Sequence, residues 1–179
     1  MPTLILVRHA QSEKNALNIV SHDFHKPHHL TELGKTQARQ VGTILKDTPI
    51  TSAVTSRYPR TQETAKIILG NRQIYITIDE RIDEIHNGVL EGETITAYHA
   101  SIQDRATQTP EGGETWEELK TRLRSFLHDA RKMEGTVLVV SHGHPIAVMR
   151  GLIGGWDDQR METAIPHHED IFRYEFPDG

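Results

Sequence analysis

Two short apolar runs dominate the pattern of hydrophobic and polar positions along the chain. They cover residues 4–7 and 136–140, and they consist almost wholly of valine, leucine and isoleucine. Runs this short and this apolar predict strands buried on both faces, as in a parallel sheet. Arg8 and His9 follow the first run directly, and Ser141 and His142 follow the second. Because open α/β folds bind ligands at the carboxyl ends of their strands, we expect both histidines at one site.

The rest of the pattern alternates between strands and helices. Further strands are predicted over 51–55, 74–78 and 172–176. Helices are predicted over 11–18, from the N-cap Thr31 to about 45, over 59–69, around 94–105, over 116–133 and from the second histidine to about 152. Residues 19–30 and most of 80–113 show neither period and predict loops. This order predicts a three-layer α/β/α sandwich with a mostly parallel mixed sheet, in one domain over residues 1–179.

Composition narrows the classes of function. The formal net charge of −5 gives no general attraction to nucleic acid or to a membrane, so an anionic substrate would need a local positive pocket. The absence of cysteine excludes disulfides, thiolate catalysis and cysteine-ligated metals. No apolar stretch reaches membrane-spanning length, and the N-terminus predicts a strand rather than a signal peptide. We therefore expect a cytoplasmic protein. The sequence does not decide whether it forms a homodimer.

Six motifs in order resemble those of the histidine phosphatase superfamily, whose fold is described as phosphoglycerate-mutase-like. They are Arg-His-Ala-Gln-Ser-Glu-Lys-Asn at 8–15, Leu-Thr-Glu-Leu-Gly-Lys-Thr-Gln-Ala at 30–38, the block at 55–65, the loop at 83–92, Gly-Gly-Glu-Thr at 112–115 and Ser-His-Gly at 141–143. One such tripeptide would be weak support, whereas six in the expected order are strong. The resemblance spans nearly the whole chain.

The resemblance implies a covalent mechanism. His9 would attack phosphorus through an unprotonated ring nitrogen and form a phosphohistidine. Glu84 would protonate the leaving alkoxide and then deprotonate the water that cleaves the intermediate. The loop alone does not fix which of its carboxylates faces the site, and Glu84 is favoured over Glu80, Asp83 and Glu91 by its position in the motif.

The resemblance also implies the phosphate-binding residues. Arg8 and Arg57 would neutralise the equatorial oxygens with fork-shaped guanidinium groups. His142 would add a donor as an imidazolium, and Asn15 would add an uncharged donor. Arg60, close to Arg57, is expected to have a structural role. Because the positive charge comes from side chains, no metal or cofactor is implied.

The chain departs from the family pattern in places. Ala10 replaces the usual glycine, which is tolerable only where φ is negative. Gln11 replaces the common glutamate, and the loop 19–30 lacks the usual glycine-containing pattern. A metal site is an alternative function for the histidine clusters at 22–29 and 167–168, but they lie in predicted loops without paired cysteine or carboxylate ligands. Histidines near an anion pocket are the favoured interpretation.

The favoured function is a metal-independent phosphomonoesterase acting on a small phosphorylated metabolite. A cofactor-dependent phosphoglycerate mutase is the first alternative, although such mutases usually have a longer chain and carry Arg-x-Tyr-Gly after the glutamate, where this chain has Ile-His-Asn-Gly. A phosphohistidine or phosphoprotein phosphatase is a second alternative. A phosphate-binding module without activity is disfavoured, because all the implied catalytic residues are present. The sequence does not name the substrate.

Overall fold

The computed structural model describes residues 2–23 and 25–176 and has a five-stranded sheet in the order β3-β2-β4-β1-β5. The strands are β1 (Thr3–Arg8), β2 (Ile50–Thr55), β3 (Ile76–Ile78), β4 (Thr136–Ser141) and β5 (Ile171–Glu175). β1 to β4 pair in parallel, and β5 lies antiparallel against β1 at the edge. The predicted mostly parallel mixed sheet is confirmed.

The helices lie between these strands. They are α1 (Glu13–Ala16), α2 (Glu32–Ile44), α3 (Pro59–Leu69), α4 (Ile95–Ser101), α5 (Trp116–Ala130), α6 (Gly143–Gly154) and α7 (Asp158–Thr163). Thr31 caps α2 by accepting a hydrogen bond from the amide of Gly34 at 3.0 Å, as predicted. α7 was not predicted, because Met161 is its one buried residue and a short polar segment shows no helical period.

Two hydrophobic cores cover the two faces of the sheet. Leu4 and Leu6 of β1 point into the core formed with α5, α6 and α7, whereas Ile5 and Val7 point into the core formed with α2 and α3. This alternation along one strand is why the apolar run is uninterrupted. The predicted three-layer sandwich is confirmed. Within the described residues, no helix is long and apolar enough to span a bilayer.

The register of the central strands sets the position of the polar residues that follow them. Arg8 at the end of β1 is paired with Ser141 at the end of β4, and Thr55 at the end of β2 is paired with Val140. The three strands therefore end at nearly the same level. The residues after them, beginning with His9, Ser56 and His142, meet at one edge of the sheet.

Candidate active site

His9 lies directly after β1 and is buried, with 1% of its surface exposed. Its Nδ1 is 2.7 Å from the carbonyl oxygen of Ala10, an acceptor, so Nδ1 carries the proton and Nε2 keeps its lone pair. Burial, reinforced by the nearby charge of Arg60, lowers the pKa of His9 well below its usual range. The ring is therefore neutral, the state that a nucleophilic imidazole requires.

His142 follows β4, and its ring stands edge-on to that of His9 with 5.2 Å between centroids. Nη2 of Arg60 lies 3.3 Å from Nδ1 of His142, and Oγ of Ser56 lies 2.8 Å from Nε2. Because a guanidinium only donates, Nδ1 accepts, and the proton of the ring is on Nε2. Burial and Arg60 lower the pKa of His142 well below its usual range. The expected imidazolium is thus wrong for this form of the protein, in which His142 is neutral.

Arg60 lies directly against His142. It is fully buried near the start of α3, directly after Pro59 at the first helical position. Its guanidinium stacks over the ring of Tyr58 at 4.3 Å, and Nη2 also donates to the carbonyl of Ser21 at 3.3 Å. Its Nε and Nη1 are buried and have no hydrogen-bond partner in the described part of the chain. Buried donors of this kind are rare unless ordered water or a ligand completes them.

Arg57 lies apart from this group, contrary to the placement predicted from the motif. Its Nε and Nη2 each lie 2.6 Å from Oδ2 of Asp83, and Nη1 lies 3.3 Å from Glu80. Arg57 precedes the helix that begins at Pro59, whereas Arg60 lies inside it, so the two side chains leave the backbone in different directions. The guanidinium beside His142 therefore belongs to Arg60.

Arg8 and Asn15 line one cavity of about 340 Å³. Nη1 of Arg8 donates to the carbonyl of Pro166 at 2.7 Å, while its Nε is buried without a partner among residues 2–23 and 25–176. Oδ1 of Asn15 accepts hydrogen bonds from the amide and hydroxyl of Ser12, at 3.0 and 2.8 Å. These two bonds fix the orientation of the side-chain amide and leave Nδ2 as its donor.

Glu84 lines both the 340 Å³ cavity and a larger cleft of about 860 Å³. Its Oε1 accepts from the amide of Ile85 at 3.0 Å and lies 3.8 Å from Nδ1 of His144. Burial raises the pKa of Glu84, but His144 and the charge of Lys14 outweigh burial and lower this pKa well below its usual range. Glu84 is ionised before an anion binds.

The other carboxylates of the loop are held elsewhere. Asp83 accepts the amide and the guanidinium of Arg57. Glu91 accepts the amide of His22 at 2.7 Å, which ties the 20–23 segment to the loop. Neither carboxylate lines the cavity that contains Arg8 and Asn15, whereas Glu84 does.

The sequence did not single out several residues that meet at the site. Arg60 is one of them. The hydroxyl of Ser56 forms a hydrogen bond with His142, and Nδ1 of His168 donates to the carbonyl of His9 at 2.6 Å. Lys14 and His144 line the 340 Å³ cavity. Lys14 could have been identified from the sequence, because it is next to Asn15 in the segment that follows β1 into the site. His168 is distant in sequence from every other site residue, and no sequence pattern pointed to it.

The histidine-rich loop does not gather into a metal centre in the part of the chain that the structure describes, where no three histidine, cysteine, aspartate or glutamate side chains are grouped for one. His22 contacts Glu91 and the amide of Asn87, and His29 contacts Glu63. Ala10 is accommodated without backbone strain, since Asn18 is the one non-glycine residue of positive φ among the described residues.

The fold resembles that of several solved structures. Bacillus stearothermophilus YhfR superposes with a TM-score of 0.89 at 27% identity, covering 100% of this chain and 93% of that one. The alpha-ribazole phosphatase from Shigella flexneri superposes with a TM-score of 0.87 at 23% identity, covering 98% and 91%. At that identity the second likeness shows the fold alone.

Sequence comparison identifies the family. A protein of Photorhabdus laumondii named probable phosphoglycerate mutase GpmB is 34% identical over 165 residues, which cover 87% of this chain and 76% of the relative. An Escherichia coli protein of the same name is 31% identical over 174 residues, covering 90% and 80%. The model of the histidine phosphatase superfamily, branch 1, matches residues 4–179. The chain therefore belongs to the histidine phosphatase superfamily.

Proposed function

We propose that this protein is a metal-independent phosphomonoesterase that hydrolyses a small phosphorylated metabolite through a phosphohistidine on His9. The observation that supports this most strongly is the state of His9, whose Nδ1–H is held by the Ala10 carbonyl and whose Nε2 is unprotonated. Nucleophilic catalysis by histidine requires that tautomer.

The phosphoryl group would be bound by donors that have no partner within the protein. These are Nε of Arg8 and the Nε and Nη1 atoms of Arg60, which are buried and unpaired among the described residues. Two guanidinium groups can balance a phosphate dianion and its transition state without a metal. In this proposal Arg60 takes the role that the motif assigned to Arg57, and Asn15 adds a further donor. Both ring nitrogens of the neutral His142 are already engaged, by Arg60 and by Ser56, so His142 would position Arg60 rather than donate to the phosphoryl group.

Glu84 would supply the proton for the leaving group. It is ionised in the free protein, but a phosphate dianion bound close by would raise the pKa of Glu84, because like charges disfavour ionisation. Substrate binding would therefore favour protonation of Glu84, which could then donate this proton to the leaving alkoxide. After transfer, the same carboxylate can remove a proton from water as general base.

Hydrolysis, rather than transfer to a second alcohol, is supported by the openness of the site on the side of Glu84. The cleft of about 860 Å³ reaches this carboxylate from outside, so water has a route to the group that would activate it. A mutase must instead keep its phosphohistidine from water. Because two relatives are named probable phosphoglycerate mutase, isomerisation is the alternative to test.

The first experiment is a screen of phosphorylated metabolites for phosphate release in buffer containing excess EDTA. We expect turnover, and acid-labile, base-stable phosphate on the protein after rapid quenching. His9→Ala should abolish both, while the matched change at the exposed His128 should leave both intact. Turnover that needs added zinc or magnesium, or a His9→Ala protein of near-normal rate, would disprove the mechanism.

A second measurement separates hydrolysis from isomerisation. With 3-phosphoglycerate as the only substrate, a phosphatase releases inorganic phosphate and glycerate, whereas a mutase primed with bisphosphoglycerate yields 2-phosphoglycerate. Phosphorus NMR distinguishes these products in one sample. Rapid formation of 2-phosphoglycerate with little free phosphate would replace the phosphatase proposal by the mutase.

A further inference from the structure

The cavity beside the proposed phosphoryl site has a mixed lining. It includes the positive groups of Arg8, Lys14 and Arg105, the carboxylates of Glu84 and Glu162, and the amide of Asn15. Its apolar part is formed by Val20, Ile85, Ile95, Tyr98, Ile102 and Ile165. With a volume of about 340 Å³, the cavity is of the size that encloses a small organic molecule. In the proposed reaction it would hold the alcohol part of the substrate.

Lys14 is a charged residue of this cavity whose ammonium has no partner among the described residues. It is the buried residue of α1, with 8% of its surface exposed. Its ammonium makes no hydrogen bond or ion pair with any described residue, although Glu84 and Glu91 act on it at longer range. A buried ammonium without a partner is costly, so such a group either has a lowered pKa, as Lys14 does, or is completed by a ligand or ion.

The formal charges around the cavity indicate the role of Lys14. With Glu84 protonated for departure of the alcohol, Arg8 and Arg60 together balance the two charges of a phosphoryl dianion. Arg105 and Glu162, which also line the cavity, offset each other, and Lys14 then remains as a further positive charge. A neutral alcohol would leave this ammonium buried and unpaired.

We propose that the substrate carries a second anionic group, a carboxylate or a second phosphoryl group, on its alcohol part, and that Lys14 binds this group. Lys14 would be a specificity-determining residue, and the substrate class would be phosphate esters of acidic alcohols rather than of neutral sugars. The inference rests on the proposed phosphatase function and adds a substrate class to it. The competing interpretation is that Lys14 is a third ligand of the reacting phosphoryl group.

Kinetics with a matched three-carbon series distinguish the two roles. The substrates are propyl phosphate, 3-phosphooxypropanoate and propane-1,3-diol bisphosphate, which differ only at the far carbon. The readout is the ratio of kcat/KM for each charged substrate to that for propyl phosphate. Lys14→Met should lower one or both ratios about 10- to 100-fold, the range expected for loss of a hydrogen bond between charged groups. The ratio that falls tells a carboxylate from a phosphoryl group.

The matched control is Lys46→Met, which removes the same charge from an exposed side chain. It should leave both ratios unchanged. Equal losses for all three substrates in Lys14→Met would make Lys14 a phosphoryl ligand and overturn the proposal, and unchanged ratios would overturn it as well.

A binding measurement keeps the test independent of turnover. Calorimetric titration compares the affinity for 3-phosphonopropanoate, which carries a carboxylate, with that for propylphosphonate, which does not. Neither compound is hydrolysed. We expect tighter binding of the carboxylate compound to the unaltered protein and loss of that preference in Lys14→Met. If the unaltered protein hydrolyses no phosphate ester but keeps this preference, the phosphatase function fails while the anion site stands. Equal affinity for both compounds, with active enzyme, would refute the anion site alone.

Discussion

Nη2 of Arg60 lies 3.3 Å from Nδ1 of His142, across a contact that joins the start of α3 to the end of β4. The contact fixes His142 as a neutral acceptor at Nδ1, and Nε2 then donates to Ser56. It also turns the remaining donors of Arg60 away from His142, where they have no partner among the described residues. Arg60 is thus held in place on one side and unsatisfied on the other.

The first prediction concerns this arginine. Arg60→Met should lower kcat/KM about 10²–10³-fold, the range seen when one fixed donor to a developing charge is removed. It should also raise the inhibition constant of inorganic phosphate, because the ground state uses the same donors. Steady-state kinetics with phosphate as a competitive inhibitor measure both effects.

The matched control is Arg57→Met, since Arg57 is paired with Asp83 and Glu80 and is 39% exposed. A partly exposed ion pair contributes little, and we expect a change within about tenfold. Thermal unfolding of both variants shows whether the buried substitution has disturbed the fold. A larger loss for Arg57→Met than for Arg60→Met would restore the placement predicted from the motif.

The second prediction tests the role of Glu84. Glu84→Gln should lower kcat on propyl phosphate by roughly 10²–10⁴-fold, the usual contribution of general acid catalysis. On p-nitrophenyl phosphate the loss should be much smaller, because nitrophenolate departs without a proton. Burst kinetics separate phosphorylation of His9 from its hydrolysis, where Glu84 would act as base.

Two substitutions serve as controls for Glu84. Asp83→Asn and Glu91→Gln alter the neighbouring carboxylates, which bind Arg57 and the 20–23 segment. Neither variant should show a loss that depends on the leaving group. If one of them does and Glu84→Gln does not, the acid has been assigned to the wrong carboxylate, while the phosphohistidine on His9 would still stand.

The ends of the central strands could be predicted from sequence because buried strands have a distinct composition. Aliphatic runs interrupted by Arg8 and by Ser141 locate β1 and β4, and parallel pairing then brings His9 and His142 together. Such inferences need only the local pattern and the geometry of parallel sheets.

The choice between Arg57 and Arg60 could not be made that way. The two arginines are three positions apart, and a single sequence does not show that Pro59 turns the chain so that only the second enters the site. The partner of Arg57 is Asp83, which comes from a loop 26 residues further along. Tertiary contacts of that kind decide which of two similar side chains is free to bind a ligand.

The third prediction concerns Gly34, at the start of α2. A Cβ at this position would lie 2.0 Å from the carbonyl oxygen of Gln11, so the helix and the segment after β1 would have to separate. Gly34→Ala should therefore lower the free energy of unfolding by about 1–3 kcal/mol, as overpacking usually does. Urea denaturation measures it, with the exposed Gln40→Ala on the same helix as control. Equal stability of both variants would contradict this close packing.

The fourth prediction follows from the burial of Lys14, which, with the charge of Arg60, lowers its pKa from 10.5 to about 8. Between these values the unfolded chain holds a proton on Lys14 that the native protein lacks. Stability contributed by this group therefore rises with pH over that window, and the cost of burying the charge is fully present below pH 8. At 1.36 kcal/mol per unit, the whole effect is about 3 kcal/mol.

Lys14→Met keeps the length and packing of the side chain and removes the titrating group, so the variant should be more stable than the parent at pH 7. Its advantage should shrink as the pH rises from about 8 towards 10.5. Urea denaturation of both proteins at several pH values gives the difference directly, and Lys46→Met should show no such trend because Lys46 is exposed. An advantage that grows with pH would mean that the folded protein raises the pKa of Lys14 through an ion pair. In that case the ammonium already has a partner, and the site for a second anion would lose its main support.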